Sequence, residues 1–216
     1  MGFFSSILDI LFPRKCVFCA RILNKNDDNI CDNCIEALPY TNDSGKLNGE
    51  VFDFCVSPLY YTDVVRKSIL RYKFGSAEQY ADTYGFMLAD LLIENPDINY
   101  DIITWVPLSK KREQERGYDQ AKLIAQVVAQ KLGKTAESVL TKHRDVRAQS
   151  ELGDRVERSD NIHGAYTVLD PDFIQNKSIL LIDDVITTGS TLDECAKTLR
   201  TSGAKEVICA TLARSE

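Results

Sequence analysis

Apolar residues recur along this chain at two periods. Phe3, Phe4, Ile7, Leu8 and Leu11 fall at helical spacing and stop at Pro13, which predicts a short amphipathic helix docking on the body of the protein. Past a polar, Gly-containing stretch at 41–50 the pattern alternates. Phe54–Tyr61 reads as a strand, Val64–Tyr72 as a short helix, and Ala77–Glu94 as a helix with Leu88, Leu91 and Leu92 on one face. Asp101–Leu108 reads as a strand followed by a polar loop, Gln120–Leu132 as a helix, and Ser138–Thr141 as a short strand before a long basic segment. Ser178–Ile182 is an apolar run too short for a helix. Thr191–Ser202 reads as a helix ended by Gly203, and Glu206–Leu212 as a closing strand. Strands alternating with helices predict an α/β fold around a mostly parallel sheet. The stretch at 41–50 marks the expected boundary between an N-terminal region, residues 1–45, and a larger domain, residues 50–216. No internal repeat is visible.

The chain has 216 residues, 44% of them hydrophobic, enough for one full domain and a small appendage at roughly 150 residues per domain. A formal charge of −6 excludes a uniformly basic nucleic-acid coat. No apolar run approaches the ~18–20 residues of a membrane span. The N-terminus lacks a basic segment and Asp9 interrupts its apolar stretch, so a cytoplasmic protein without a secretory signal is expected. Charge is unevenly spread: residues 75–109 hold six acids and no Lys or Arg, whereas residues 110–158 hold twelve Lys or Arg against eight acids. Such a basic middle suits an anionic ligand, a phosphate, diphosphate or nucleic-acid strand, or else a solvated surface.

Four of the seven cysteines fall as Cys16-x-x-Cys19 and Cys31-x-x-Cys34. Two such turns can close four thiolates around one tetrahedral ion, and a closed shell makes that ion structural. Zinc is the expected occupant; an iron–sulfur cluster or disulfides are the alternatives. Cys55, Cys195 and Cys209 lie in apolar or helical contexts and are expected in the core.

The segment Ser178 to Thr191, Ser-Ile-Leu-Leu-Ile-Asp-Asp-Val-Ile-Thr-Thr-Gly-Ser-Thr, carries the most chemistry. A buried parallel strand delivers Asp183 and Asp184 at its C-terminal end, where open α/β sheets bind ligands. Thr187, Thr188, Gly189, Ser190 and Thr191 follow as a small loop at a helix N-terminus, whose unpaired N–H groups and dipole suit a phosphate. Carboxylates facing hydroxyls beside a phosphate cradle describe a ribose 5-phosphate site. An ordinary N-cap would explain the Thr and Ser but not two consecutive acids.

Ile179–Thr191 resembles the phosphoribosyl-diphosphate (PRPP) signature of type I phosphoribosyltransferases, and nearly the whole chain resembles the ComF family, associated with bacterial competence and DNA uptake. The resemblance runs through Phe12-Pro13 and the cysteine pairs, Tyr72-Lys73-Phe74-Gly75, Val106-Pro107-Leu108-Ser109-Lys110-Lys111-Arg112, Arg116-Gly117-Tyr118-Asp119-Gln120, Gln149, Arg158-x-x-Asn161 and Leu212-Ala213-Arg214. It implies a Rossmann-like phosphoribosyltransferase domain preceded by a small zinc ribbon with four cysteine ligands. It further implies that Asp183 and Asp184 hold the ribose hydroxyls of PRPP and act in catalysis, and that residues 187–191 bind the 5-phosphate. Ser109, Lys110, Lys111, Arg112 and Arg116 would face the diphosphate with Mg²⁺, and Arg147, Gln149 and Arg158 would lie in a mobile loop over the site. Lys73 is a further candidate on chain order alone.

Two departures stand out. Ser109 occupies a position where the family commonly has His, and Asp119 replaces a common Asn. An anion there opposes diphosphate unless it pairs with Arg112 or Arg116 or ligates Mg²⁺. His143 and His163, both in the basic segment, are expected at the surface. Three functions remain open: a PRPP-dependent glycosyl (phosphoribosyl) transferase with an unread acceptor, a non-catalytic PRPP-responsive regulator, and a module handling single-stranded DNA, with a competence helicase as a candidate partner. Residues 1–63 carry five bases and nine acids, which counts against DNA binding by the ribbon.

Overall fold

A computed structural model describes residues 13–24, 27–42, 45–143 and 164–215. The expected N-terminal helix, the loop residues Arg147, Gln149 and Arg158, and His163 lie outside the described residues.

The strands are β1 (Leu47–Asn48), β2 (Phe54–Val56), β3 (Leu59–Tyr60), β4 (Ile102–Trp105), β5 (Leu140–Lys142), β6 (Tyr166–Val168), β7 (Ser178–Ile186) and β8 (Glu206–Arg214). The helices are α1 (Asp32–Ala37), α2 (Asp63–Phe74), α3 (Tyr80–Glu94), α4 (Lys110–Arg116), α5 (Gln120–Lys131), α6 (Pro171–Ile174) and α7 (Ser190–Thr201). The main sheet runs β1-β2-β8-β7-β4, with β3 also on β8; β1 pairs antiparallel and the others parallel. β7 lies inside the sheet, between β8 and β4, and is buried on both faces, as its unbroken apolar run Ile179 to Ile182 requires.

Strand alternation divides the core in two. Leu180 and Ile182 face α2, α3 and α5, whereas Ile179 and Leu181 face α7 and the antiparallel pair β5–β6. α3 buries Tyr80, Ala81, Tyr84, Leu88 and Leu92, and α5 buries Ala121, Ile124, Ala125 and Val128, each set at helical spacing.

Three expectations change. The polar loop after β4 contains helix α4. Its run Lys-Lys-Arg-Glu-Gln-Glu-Arg shows no apolar period, yet nearly every residue is a good helix former, and Ser109 caps it by accepting from Arg112 N–H at 3.3 Å. The strand expected over Phe54–Tyr61 breaks at Ser57-Pro58, so β2 and β3 meet β8 separately. β5 leaves the main sheet and pairs with β6, which the apolar pattern did not single out.

The cysteine-bearing segment packs into the α2–α3–α5 side of the core. Val17 and Phe18 are buried there beside Tyr72 and Tyr84. Arg71 Nη2 donates to the carbonyls of Val17 (2.9 Å) and Phe18 (2.6 Å), and Ser68 Oγ donates to Val17 at 2.6 Å. Among the described residues no helix is long and apolar enough to cross a membrane.

α3 and α5 pack closely at Gly85, where an added Cβ would lie 2.5 Å from Val127 Cβ. That atom is tied to the backbone and cannot swing away. Gly85→Ala is therefore expected to destabilise the protein by about 1–3 kcal/mol, overriding the ~1 kcal/mol that Ala gains in a helix. Chemical unfolding of the variant checks the sign. In the same assay Arg71→Met, which removes two charge-assisted hydrogen bonds, is expected to cost about 2 kcal/mol or more.

Candidate functional site

The site begins where β4 stops. The last β4–β7 pair is Trp105 with Ile182, while β7 continues along β8 through Asp183–Thr211 to Ile186–Arg214. Asp183 and Asp184 therefore stand beyond the end of β4, on the edge that β4 has left. Alternation sends them to opposite faces: Asp184 to the α2–α5 side, Asp183 to the side of α7 and β6.

Their surroundings differ. Asp184 is buried, and Lys73 Nζ, from the last turn of α2, lies 2.8 Å from its Oδ1. Asp183 is half-buried and accepts the N–H of Asp184 at 2.8 Å. Burial, reinforced by the charge of Asp184, pushes the Asp183 carboxyl up to about 8; Lys73 and the Asp184 N–H oppose the rise. Lys73 itself loses stability as a cation through burial, but Asp184 outweighs that loss and its pKa rises.

The cations read from the sequence separate. Arg116 ends α4 half-buried, donating to Gln120 Oε1 at 2.8 Å and stacking over Phe74 at 5.0 Å. Burial lowers its pKa, with Arg112 adding to the drop, and Asp184 lies close enough to oppose it. Lys110 and Lys111 point outward on α4, Lys111 lying 4.0 Å from Glu115. Ser109 is buried as a cap.

Asp119 turns out to be committed to the scaffold. It caps α5, accepting from Lys122 N–H at 3.1 Å, and it ties down the β4 loop by accepting from Leu108 N–H at 2.9 Å. Burial raises its pKa and these two N–H groups oppose the rise. The anion expected beside a diphosphate is thus engaged by backbone donors, with neither Arg112 nor Arg116 needed as its partner.

Beyond β7, Thr187 and Thr188 are exposed, and Thr188 Oγ1 lies 3.0 Å from Ser190 Oγ. Gly189 adopts φ +81°, a left-handed conformation that strains other residues, and as N-cap of α7 it offers no side chain to the first-turn amides. On the Asp183 face, Lys142 Nζ donates to Tyr166 Oη at 3.0 Å. No local pattern marked Lys142 or Tyr166. Lys73 was signalled by its place in Tyr-Lys-Phe-Gly, without its partner.

The four sulfurs of Cys16, Cys19, Cys31 and Cys34 lie within 4.8 Å of one another, and those of Cys19 and Cys31 are 3.7 Å apart. Zn–S bonds of about 2.3 Å place tetrahedral sulfurs about 3.8 Å apart, so the cluster fits a structural zinc ion. Burial raises the Cys16 thiol, but the N–H groups of Cys19, Cys31 and Phe18 outweigh it and lower its pKa to about 7. Burial and the other three sulfurs push Cys34 up.

Residues 119–216 match the family described as Phosphoribosyl transferase domain, and residues 7–50 match Double zinc ribbon domain. The chain is 26% identical to Competence protein F of Haemophilus influenzae, over 94% of this chain and 98% of that protein. It is 23% identical to Competence protein ComFC of Bacillus subtilis, over 97% and 94%. DNA utilization protein YhgH of Salmonella typhi is 36% identical over 52% of this chain and 50% of its own length. The chain thus carries a double zinc ribbon ahead of a type I phosphoribosyltransferase domain, and along nearly its whole length it is similar to Competence protein F and Competence protein ComFC.

Proposed function

We propose that the chain binds PRPP at the end of β7 and transfers its ribose 5-phosphate group to a nucleophilic acceptor, releasing diphosphate. The observation that carries this reading is the pair Asp183–Asp184 standing past the end of β4, directly before a loop that opens α7 with uncapped amides. In this reading the two carboxylates accept the ring hydroxyls. The N–H groups and hydroxyls of residues 187–191 hold the 5-phosphate with the help of the helix dipole. Arg112 and Arg116 face the diphosphate, Ser109 holds the start of α4 as its cap, and Lys110 and Lys111 add longer-range attraction.

Mg²⁺ accompanying PRPP would be held near Asp183 and Asp184 and would supply the positive charge that neutralises the leaving diphosphate. As the C1–O bond breaks, its electron pair leaves with diphosphate and positive charge gathers on the ribose; the acceptor then attacks C1. The chain contributes orientation and the negative field of Asp184, joined by that of Asp183 once the bound ligand has driven off its proton. The relatives' names, competence and DNA utilization, support a role connected with DNA; single-stranded DNA or a competence helicase is the partner we propose.

Calorimetric titration with PRPP, with and without Mg²⁺, tests the site. Saturable, Mg²⁺-enhanced binding is expected, and Asp183→Asn with Asp184→Asn should abolish it; unchanged binding in that variant would sink the assignment. Diphosphate release in the presence of an acceptor then separates transferase from regulator.

Asp183 adds a pH signature. A carboxyl raised to about 8 is largely protonated at neutral pH, and a cation-bearing ligand favours its charged form. Affinity for Mg²⁺–PRPP should rise as pH climbs toward about 8 and level off above it, with proton release measurable from the buffer dependence of the binding heat. Asp183→Asn should flatten the profile.

Zinc is expected at one ion per chain. Cys16→Ser with Cys31→Ser should lose it and lower the thermal midpoint of the whole protein, because Val17 and Phe18 belong to the core. Full zinc content in that variant would refute the four-sulfur site.

A further inference from the structure

The last two turns of α2 are held on several sides. Ser68 and Arg71 grip the carbonyls of Val17 and Phe18, as described above. Tyr72 Oη donates to the carbonyl of Gln120 at 2.9 Å, and the Tyr118 hydroxyl donates to the carbonyl of Tyr72. The next residue, Lys73, reaches out of this fixed turn to Asp184, its side chain about one-fifth exposed against 8% for the carboxylate. Arg116, a second cation near Asp184 among the described residues, has its guanidinium engaged with Gln120 and Phe74.

A buried ion pair of this kind adds little net stability over an apolar pair of the same size. What it does supply is orientation. A carboxylate bonded through one oxygen is held in a single rotamer, which leaves the second oxygen at a defined place.

We propose that Lys73 is a positioning residue for ribose recognition: it fixes Asp184 through Oδ1 so that the other oxygen meets a ring hydroxyl of the ligand. The proposal rests on the reading of Asp184 as a ribose-binding carboxylate. It assigns Lys73 to the sugar end of the ligand, acting through Asp184, and distinguishes it from the cations on α4 that face the leaving group. The ribbon enters through the same helix, because its two carbonyls hold Arg71 two residues away.

The test compares two probes on the full chain, ribose 5-phosphate and inorganic phosphate, by calorimetry. In Lys73→Met the affinity for ribose 5-phosphate should fall about tenfold, the loss expected for one misplaced charge-assisted hydrogen bond, while inorganic phosphate binds within about twofold of the parent. Lys73→Arg, which restores a cation to Asp184, should recover most of the loss. Should Lys73→Met fail to fold, Lys73→Gln keeps a donor to Asp184 without the charge and should lie between parent and the tenfold loss.

Unchanged ribose 5-phosphate affinity in Lys73→Met, or in Lys73→Gln if that is the variant that folds, overturns the proposal. Equal losses for both probes also overturn it, since they would place Lys73 on the phosphate. Parent protein that binds neither probe overturns the ribose-phosphate reading itself and the proposal with it, an outcome visible before any variant is made.

Discussion

The candidate site hangs from one offset between neighbouring strands. β7 pairs with β4 only as far as Ile182 but with β8 as far as Ile186. One flank of β7 is therefore open over Asp183 and Asp184, while the other flank still holds their backbone rigid. An open α/β sheet binds ligands where its strands end unevenly, because backbone and side chains there can reach into a cleft without breaking the ladder. Had β4 continued, the same two carboxylates would be enclosed by a third strand.

Alternation then makes the two acids unlike one another. Asp184 falls on the face where α2 brings Lys73, so its charge is compensated. Asp183 falls on the face of Tyr166 and Cys195, where burial and the neighbouring anion favour the protonated form. One strand thus carries an ion-paired carboxylate beside one whose pKa is raised. Asp119 represents a third use of the same side chain: its charge is spent on two backbone N–H groups that fasten the β4 loop to the start of α5.

The ribbon is coupled to this arrangement through α2. Its turn from Cys16 to Cys19 packs Phe18 against Tyr84 (ring centroids 6.1 Å apart) and lends two carbonyls to Arg71. A structural zinc ion that holds the turn therefore also holds the helix from which Lys73 projects. The structural metal and the candidate ligand site are joined by one rigid element.

Much was legible in the sequence because it depends on local spacing. The CxxC pairs announced a four-sulfur cluster, the apolar run Ile179 to Ile182 announced a buried strand, and the acids followed by Thr-Thr-Gly-Ser-Thr announced a carboxylate pair leading into a helix start. Helix α4 escaped the apolar period because it buries no apolar face; only its caps and propensities marked it. Tertiary structure alone decided which distant groups meet. Lys73 reaches Asp184, Asp119 reaches Leu108, and Arg71 reaches Val17 across separations that no periodicity encodes. Spacing along a chain sets which face a side chain takes, but its partner is set by how helices and strands pack, and that packing is a property of the whole core.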